Sequence, residues 1–327
     1  MSSHSLALSN GAQMPIIGLG TWSVTDLDQF RVALRVALDA GYRHIDTADA
    51  YGNEHVIGEV LEEYFKAGKL KREEVFVTTK VPFDAMEPAD TEKCILKELG
   101  DLRLDYIDLY LIHFPAAARR KPEGKLLTKD SFENLDNIDH VATWRAMEKF
   151  VKSGHLRAIG LSNFNVAQLQ NVYDHAEIKP AVLQVECHIF WPQHELFDLC
   201  KKLGIVFTAY SPIGSPGRKI FRPEVTWGDG DALKEPVVED LAKKYGRSPA
   251  QILLRHLIQR GIIVIPKSTN PDRIKQNFDV FGFELGESDQ QKLFDVKFRS
   301  RLFQFRHCEG NRNYPFGDVD FSTKHEE

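Results

Sequence analysis

The chain has 327 residues, 43% of them hydrophobic and 27% charged, with a formal net charge of -5. This is an ordinary globular balance with apolar material for a large core, and its bulk charge argues against a polyanion-binding surface, so no nucleic acid partner is expected. No apolar run approaches the ~18 residues of a membrane span, so no membrane partner is expected either.

Residues 1–10 have neither a basic start nor a long apolar stretch, and do not read as a secretory signal. Cys94, Cys187, Cys200 and Cys308 form no CxxC pair, which points to a reducing, cytoplasmic protein. Along the chain, short apolar runs alternate with amphipathic stretches. Runs at 16–19, 43–46, 75–79, 106–112, 158–161, 182–185, 205–209 and 262–265 read as eight strands. Several are continuously apolar, as in a parallel sheet buried on both faces. Over 30–40, Phe30, Ala33, Leu34, Ala37 and Leu38 recur at helical spacing before Gly41. Over 53–66, Val56, Ile57, Val60, Leu61, Tyr64 and Phe65 do the same, with Gly68 as a stop. Ser248-Pro249 opens a helix that Gly261 closes, and Asn270-Pro271 opens another.

Strands alternating with helices imply parallel βαβ units. A doubly wound dinucleotide fold would need a glycine-rich first turn. Gly18-Leu19-Gly20 lacks the third glycine and runs into Thr21-Trp22. A closed (β/α)8 TIM barrel, an α/β fold, is therefore expected, as one domain over 1–327. A minimal barrel uses ~250 residues, which leaves roughly 75 over. They fall in loops at about 114–139 and 211–232, on the face where barrel active sites lie, and in a C-terminal tail at about 297–327.

Polar residues at the C-terminal ends of barrel strands carry the chemistry. Asp46, Lys80 and His113 end the second, third and fourth runs, and Tyr51 follows Asp46 on a short loop. A phenol is a poor acid near neutrality, and a nearby ammonium would lower its pKa. Lys80 is the candidate ammonium and Asp46 its partner. His113 can donate a hydrogen bond to a substrate oxygen. The set reads as a tuned proton donor; it is not a nucleophile with a base, and it is not a metal site. His44, two residues before Asp46, is expected to point away from it. Near the C-terminus, Lys267, Ser268 and Arg273 gather at a helix start, where an anion is favoured. Gln276 and Asn277 lie one turn beyond.

These segments resemble the aldo-keto reductases. The resemblance rests on Gly18-Leu19-Gly20-Thr21-Trp22, on 41–48 with Tyr51-Gly52-Asn53-Glu54, and on Thr79-Lys80. It continues through 108–113, Gly160-Leu161-Ser162-Asn163-Phe164 and Ile265-Pro266-Lys267-Ser268, with Arg273 and Asn277. It implies an NADPH-dependent reductase of aldehydes and ketones, with Tyr51 as general acid, His113 positioning the carbonyl, and Lys80 and Asp46 tuning Tyr51. It implies a cofactor site at Gly20, Thr21, Trp22 and Asp46. Tyr210 would stack on the nicotinamide and Ser162, Asn163 and Gln184 would hold its carboxamide. Ser211 and the Ser268 region would contact phosphates, Lys267, Ser268 and Arg273 would bind the 2′-phosphate, and Gln276 and Asn277 would face the adenine. The small-molecule carbonyl substrate would meet Trp22, Tyr51, His113, Phe114, Trp227 and possible wall residue Phe83, with 303–305 closing the pocket. Many members carry tryptophan where this chain has Phe114. Cys308 is expected to be a buried spectator, and a monomer is the family expectation. The competing reading is a cofactor-binding barrel with a regulatory or structural role and little turnover.

Overall fold

The computed structural model describes residues 4–121, 132–317, 319 and 324–325. Eight strands lie side by side in chain order, each parallel to the next. They are Leu19–Gly20, His44–Asp46, Phe76–Val81, Ile107–Ile112, Leu156–Ser162, Val182–Glu186, Val206–Tyr210 and Ile263–Val264. The two ends of the sheet meet at a parallel bridge between Ile17 and Val264. There Gly18 N donates to Val264 O and Val264 N donates to Ile16 O, both at 2.9 Å. The sheet thus closes into the expected barrel and has no free edge. The strands are called one to eight below.

The first glycines serve this closure. A Cβ on Gly18 would meet the His44 ring at 2.5 Å, and one on Gly20 would meet the Ile265 carbonyl at 2.6 Å. Their role is close packing of strands, which accounts for the missing third glycine of a phosphate-binding turn.

Helices follow the strands: α1 (Leu27–Ala40), α2 (Glu54–Lys66), α3 (Pro88–Leu102), α4 (His140–Lys152), α5 (Val166–His175) and α6 (His194–Leu203). Strand seven leads to the short α7 (Arg218–Phe221), then α8 (Pro236–Tyr245) and α9 (Pro249–Gln259). Strand eight leads to α10 (Pro271–Phe278), and α11 (Glu287–Phe294) comes last. Local chemistry sets their ends. Asp26 caps α1 through Asp28 N and Gln29 N, and Gly41 ends it in the left-handed region at φ 107°. Ser248 and Gln251 form a capping box at α9, with Pro249 in the first turn. The apolar stripe of α1 is the one expected: Phe30, Ala33, Leu34, Ala37 and Leu38 are all buried.

The loop expected at 114–139 holds an antiparallel pair, Ala118–Arg120 with Phe132–Asn134. Residues 122–131 of that loop, and 318, 320–323 and 326–327 of the tail, lie outside the described residues. Among the described residues, no helix is long and apolar enough to cross a membrane.

His44 departs from expectation. Residues two apart on a strand face the same side, so His44 and Asp46 both point into the barrel. His44 Nε2 lies 3.1 Å from Thr78 Oγ1, while Lys80, two residues past Thr78, pairs with Asp46.

Candidate active site

The strand ends bring Asp46, Lys80 and His113 together as expected. Lys80 is wholly buried, and Asp46 is 2% exposed. Lys80 Nζ donates to Asp46 Oδ1 at 2.7 Å and to the Thr47 carbonyl at 2.6 Å. A lone ammonium at this depth would lose its proton; the carboxylate and carbonyl compensate for its lost hydration. The second oxygen of Asp46 accepts from Gln184 Nε2 at 2.7 Å.

Tyr51 sits on the single helical turn Asp49–Tyr51, between strand two and α2. Its ring centroid is 5.1 Å from Lys80 Nζ and 5.7 Å from the His113 ring, which meets it edge-on. Its hydroxyl makes no hydrogen bond among the described residues and its side chain is half-buried. Burial, and after it the Asp46 carboxylate, push the phenol well above its ordinary pKa. This corrects the expectation that Lys80 lowers it: the Lys80 charge is largely offset by Asp46 at 2.7 Å. Tyr51 is thus fully protonated at neutral pH.

His113 is 8% exposed. Burial and then the Lys80 charge hold it well below its ordinary pKa, so its imidazole is neutral. Its Nδ1 is buried with no partner. A buried orphan N–H is rarer than a buried orphan acceptor, which assigns the proton to Nε2. Phe83 stacks on this ring at 4.9 Å and 19°.

Three polar residues surround this centre. Asn163, at φ 64°, donates from Nδ2 to the His113 carbonyl at 2.9 Å and to Ser162 Oγ at 3.1 Å, and its Oδ1 accepts from the Tyr210 hydroxyl at 2.7 Å. Both its donors are spent on the protein, so it braces His113 and Tyr210. Gln184 likewise commits its NH2 to Asp46 and has its carbonyl oxygen left to offer. Ser211 follows Tyr210 in the left-handed region, at φ 52°.

The basic group stands at α10. Lys267 Nζ donates to the Ser23 carbonyl at 3.2 Å. Burial, then the nearby Arg273 charge, lower the Lys267 pKa. Arg273 is exposed, and its guanidinium has no partner among the described residues. Asn270 Oδ1 already caps Arg273 N at 3.0 Å, and Ser268 Oγ accepts from Asn270 N at 3.1 Å. Two like charges without a counter-ion fit a phosphate bound between them, which would relieve their repulsion. Of the two residues one turn beyond, Gln276 is exposed and Asn277 is buried.

Aromatic rings form the mouth. Trp22 packs edge-on to Phe221 at 5.1 Å, Phe303 at 5.5 Å and Trp227 at 6.2 Å. Phe303 also meets Trp227 at 5.1 Å and Tyr210 at 5.5 Å. Phe114, expected on the wall, has no exposed surface. It supports the wall from behind, against Phe83 at 5.9 Å and Phe305 at 4.6 Å. Cys308 is buried in the same cluster, and its thiol is pushed up to about 12 by burial, as fits a spectator.

Sequence reading missed Asn53. It stands at the N-cap of α2 yet makes no cap bond. Its side chain instead donates to the Thr21 carbonyl at 2.9 Å and accepts from Thr47 Oγ1 at 2.9 Å, fixing the Thr21-Trp22 loop to the strand-two end. It also missed Phe221, and Glu186 and Arg218, which are considered below.

The aldo/keto reductase family model matches residues 16–296. The chain belongs to the aldo/keto reductase family. It is 48% identical to aldo-keto reductase family 1 member A1 of Xenopus tropicalis, over 88% of this chain and 86% of that protein. It is 44% identical to the Gallus gallus protein of the same name, over 96% and 97% of the two chains. A solved structure of the aldose reductase from Schistosoma japonicum superposes with a TM-score of 0.85 at 37% identity, covering 97% of this chain and 100% of that one. This aldo/keto reductase is therefore an oxidoreductase that acts on carbonyl groups with a pyridine nucleotide. The reading as a barrel with little turnover finds no support in these relatives.

Proposed function

We propose that this aldo/keto reductase reduces aldehydes and ketones to alcohols with NADPH, in the manner of an NADP-dependent alcohol dehydrogenase, and that Tyr51 is the general acid. The observation that carries this reading is the convergence of Asp46, Lys80, His113 and Tyr51 at neighbouring strand ends. When bound, the reduced nicotinamide supplies the hydride that the carbonyl carbon accepts. His113, neutral with its proton on Nε2, donates a hydrogen bond to the carbonyl oxygen and orients it. Tyr51 then gives its phenolic proton to that oxygen. Lys80, paired with Asp46 at 2.7 Å, stands beside the phenolate so formed, with its Nζ 5.1 Å from the Tyr51 ring centroid.

Tyr210, Ser162, Asn163 and Gln184 would hold the nicotinamide end, Asn163 chiefly by fixing Tyr210. Gly20, Thr21, Trp22 and Ser211 would border it, Ser211 and Ser268 on the phosphate side. Lys267, Ser268 and Arg273 would hold a 2′-phosphate, which favours NADPH over NADH; Gln276 and Asn277 would flank the adenine. Trp22, Trp227 and Phe83 would meet the carbonyl substrate, with Phe114 behind them. Free thiols at Cys94, Cys187, Cys200 and Cys308 accord with a cytoplasmic setting. A monomer is proposed, and light scattering checks it.

The test is NADPH oxidation with an aromatic aldehyde. Tyr51→Phe should lose at least ~10²-fold in turnover, the usual scale for a general acid. Equal turnover by the two proteins would remove Tyr51 from its role.

A further inference from the structure

Glu186 ends strand six, faces Tyr210 across the strand pair, and is wholly buried. A carboxylate there needs several donors. It has them, and two come from the far end of the chain. Oε1 accepts from Leu302 N at 2.6 Å and from His188 Nε2 at 2.8 Å; Oε2 accepts from Phe303 N at 3.0 Å. His188 Nδ1 in turn accepts from Phe190 N at 3.2 Å. Arg301 Nε lies 3.9 Å from Oε2. Burial opposes the charge, but the His188 hydrogen bond, the Arg301 charge and the Leu302 N–H outweigh it, and the carboxyl sits below its ordinary pKa.

The same segment is held from outside by the loop after strand seven. Gly228 N donates to the Leu302 carbonyl at 3.2 Å, and a Cβ on Gly228 would clash with the Arg301 carbonyl. Buried Arg218 ties that loop together, donating to the carbonyls of Gly214 at 2.9 Å, Gly228 at 2.8 Å and Gly230 at 3.1 Å. The two segments so joined carry Trp227, Phe221 and Phe303, the rings that pack around Trp22.

We propose that Glu186 is a specificity-determining positioning residue: it clasps 302–303 to strand six, so that Phe303 and the loop bearing Trp227 form one rigid wall of the substrate mouth. The proposal rests on the carbonyl-reduction reading for its substrate, and on the hydrogen bonds above for its geometry. Glu186 touches no reacting atom. It acts through the backbone of Leu302 and Phe303, so its loss affects carbonyls that reach the wall and spares those that do not.

Two variants test it. Glu186→Gln keeps the shape and removes the charge that holds both N–H groups. Gly228→Ala leaves the carboxylate intact and pushes the same segment away by its Cβ. In each, KM for a bulky aromatic ketone should rise at least about tenfold, with kcat within about threefold and KM for propanal unchanged. Acrylamide quenching of tryptophan fluorescence reads the same opening without turnover and should increase in both, because Trp22 and Trp227 lose their Phe303 cover. An equal rise in KM for both substrates, or unchanged quenching in a folded Glu186→Gln protein, would overturn the clasp. Failure of the wild-type protein to reduce either carbonyl would instead strike the activity reading, and quenching would still decide the clasp.

Discussion

Arg273 carries the clearest single-residue expectation. Its guanidinium is exposed and unpartnered among the described residues, while Lys267 beside it is held below its ordinary pKa by burial and by the Arg273 charge. No described residue uses the Arg273 side chain as a structural partner. Arg273→Ala should therefore leave stability unchanged. It should weaken NADPH binding by about 1.5–3 kcal/mol, the usual worth of a charge-assisted contact. Titration of both cofactors checks this, and an equal loss for NADH would remove the 2′-phosphate assignment. At the same scale, the proposed acid role of Tyr51 has a physical basis. A phenol raised by burial gives up its proton only to an oxygen that gains negative charge, and His113 is in place to steer that oxygen.

At the scale of the element, the helical turn bearing Tyr51 is supported from beneath. Glu54, the first residue of α2, accepts from Thr79 Oγ1 at 2.5 Å, next to Lys80. Lys97 of α3 bridges Asp49 at 2.5 Å and Asp101 at 2.8 Å. Asp49, Glu54 and Asp101 have the spacing of a cation site, and the Lys97 ammonium bridges two of the three. Burial, followed by Asp49, pushes Glu54 up to about 7 despite the Thr79 hydrogen bond. Glu98, also buried and facing Glu54, is raised well above its ordinary value too. The sign follows from linkage. The folded state favours protonated Glu54, so its contribution is full below about 4.5 and is lost as the pH rises to about 7. Glu54→Gln keeps an acceptor for Thr79 and cannot ionise. Its stability relative to wild type should rise across that window by up to about 1.4 kcal/mol per pH unit. Urea unfolding at a series of pH values measures it, and a flat difference would remove Glu54 as the titrating group.

For the whole molecule, stability and chemistry are divided between two regions. The core runs through the barrel and its helices, and the site occupies only the strand ends and the loops beyond them. Ile95 of α3 is wholly buried in that core. Ile95→Ala should cost about 2–5 kcal/mol through the cavity it leaves. The urea midpoint should fall while KM for carbonyls stays unchanged, and a raised KM would mean that the core and the mouth are coupled.

The sequence by itself determined whatever depends on neighbours in the chain. Capping by Ser248 and Asn270, the α1 stripe and the continuous apolar runs are local rules, and all reappear in the fold. The candidate quartet was legible because strand ends are a topological address: once eight strands alternate with helices, Asp46, Lys80 and His113 must meet. Tertiary structure alone decided what depends on distant partners. It made Asn53, at the N-cap position of α2, a brace for Thr21, and put Phe114 behind the wall instead of on it. It spent the Asn163 amide inside the protein and set the direction of the Tyr51 pKa by burial. It also joined Glu186 to the N–H groups of Leu302 and Phe303, 116 and 117 residues away. Periodicity and capping leave a mark because they repeat within one turn or one pleat. A carboxylate that waits for two backbone donors from the far end of the chain leaves none, because any residue supplies the same N–H.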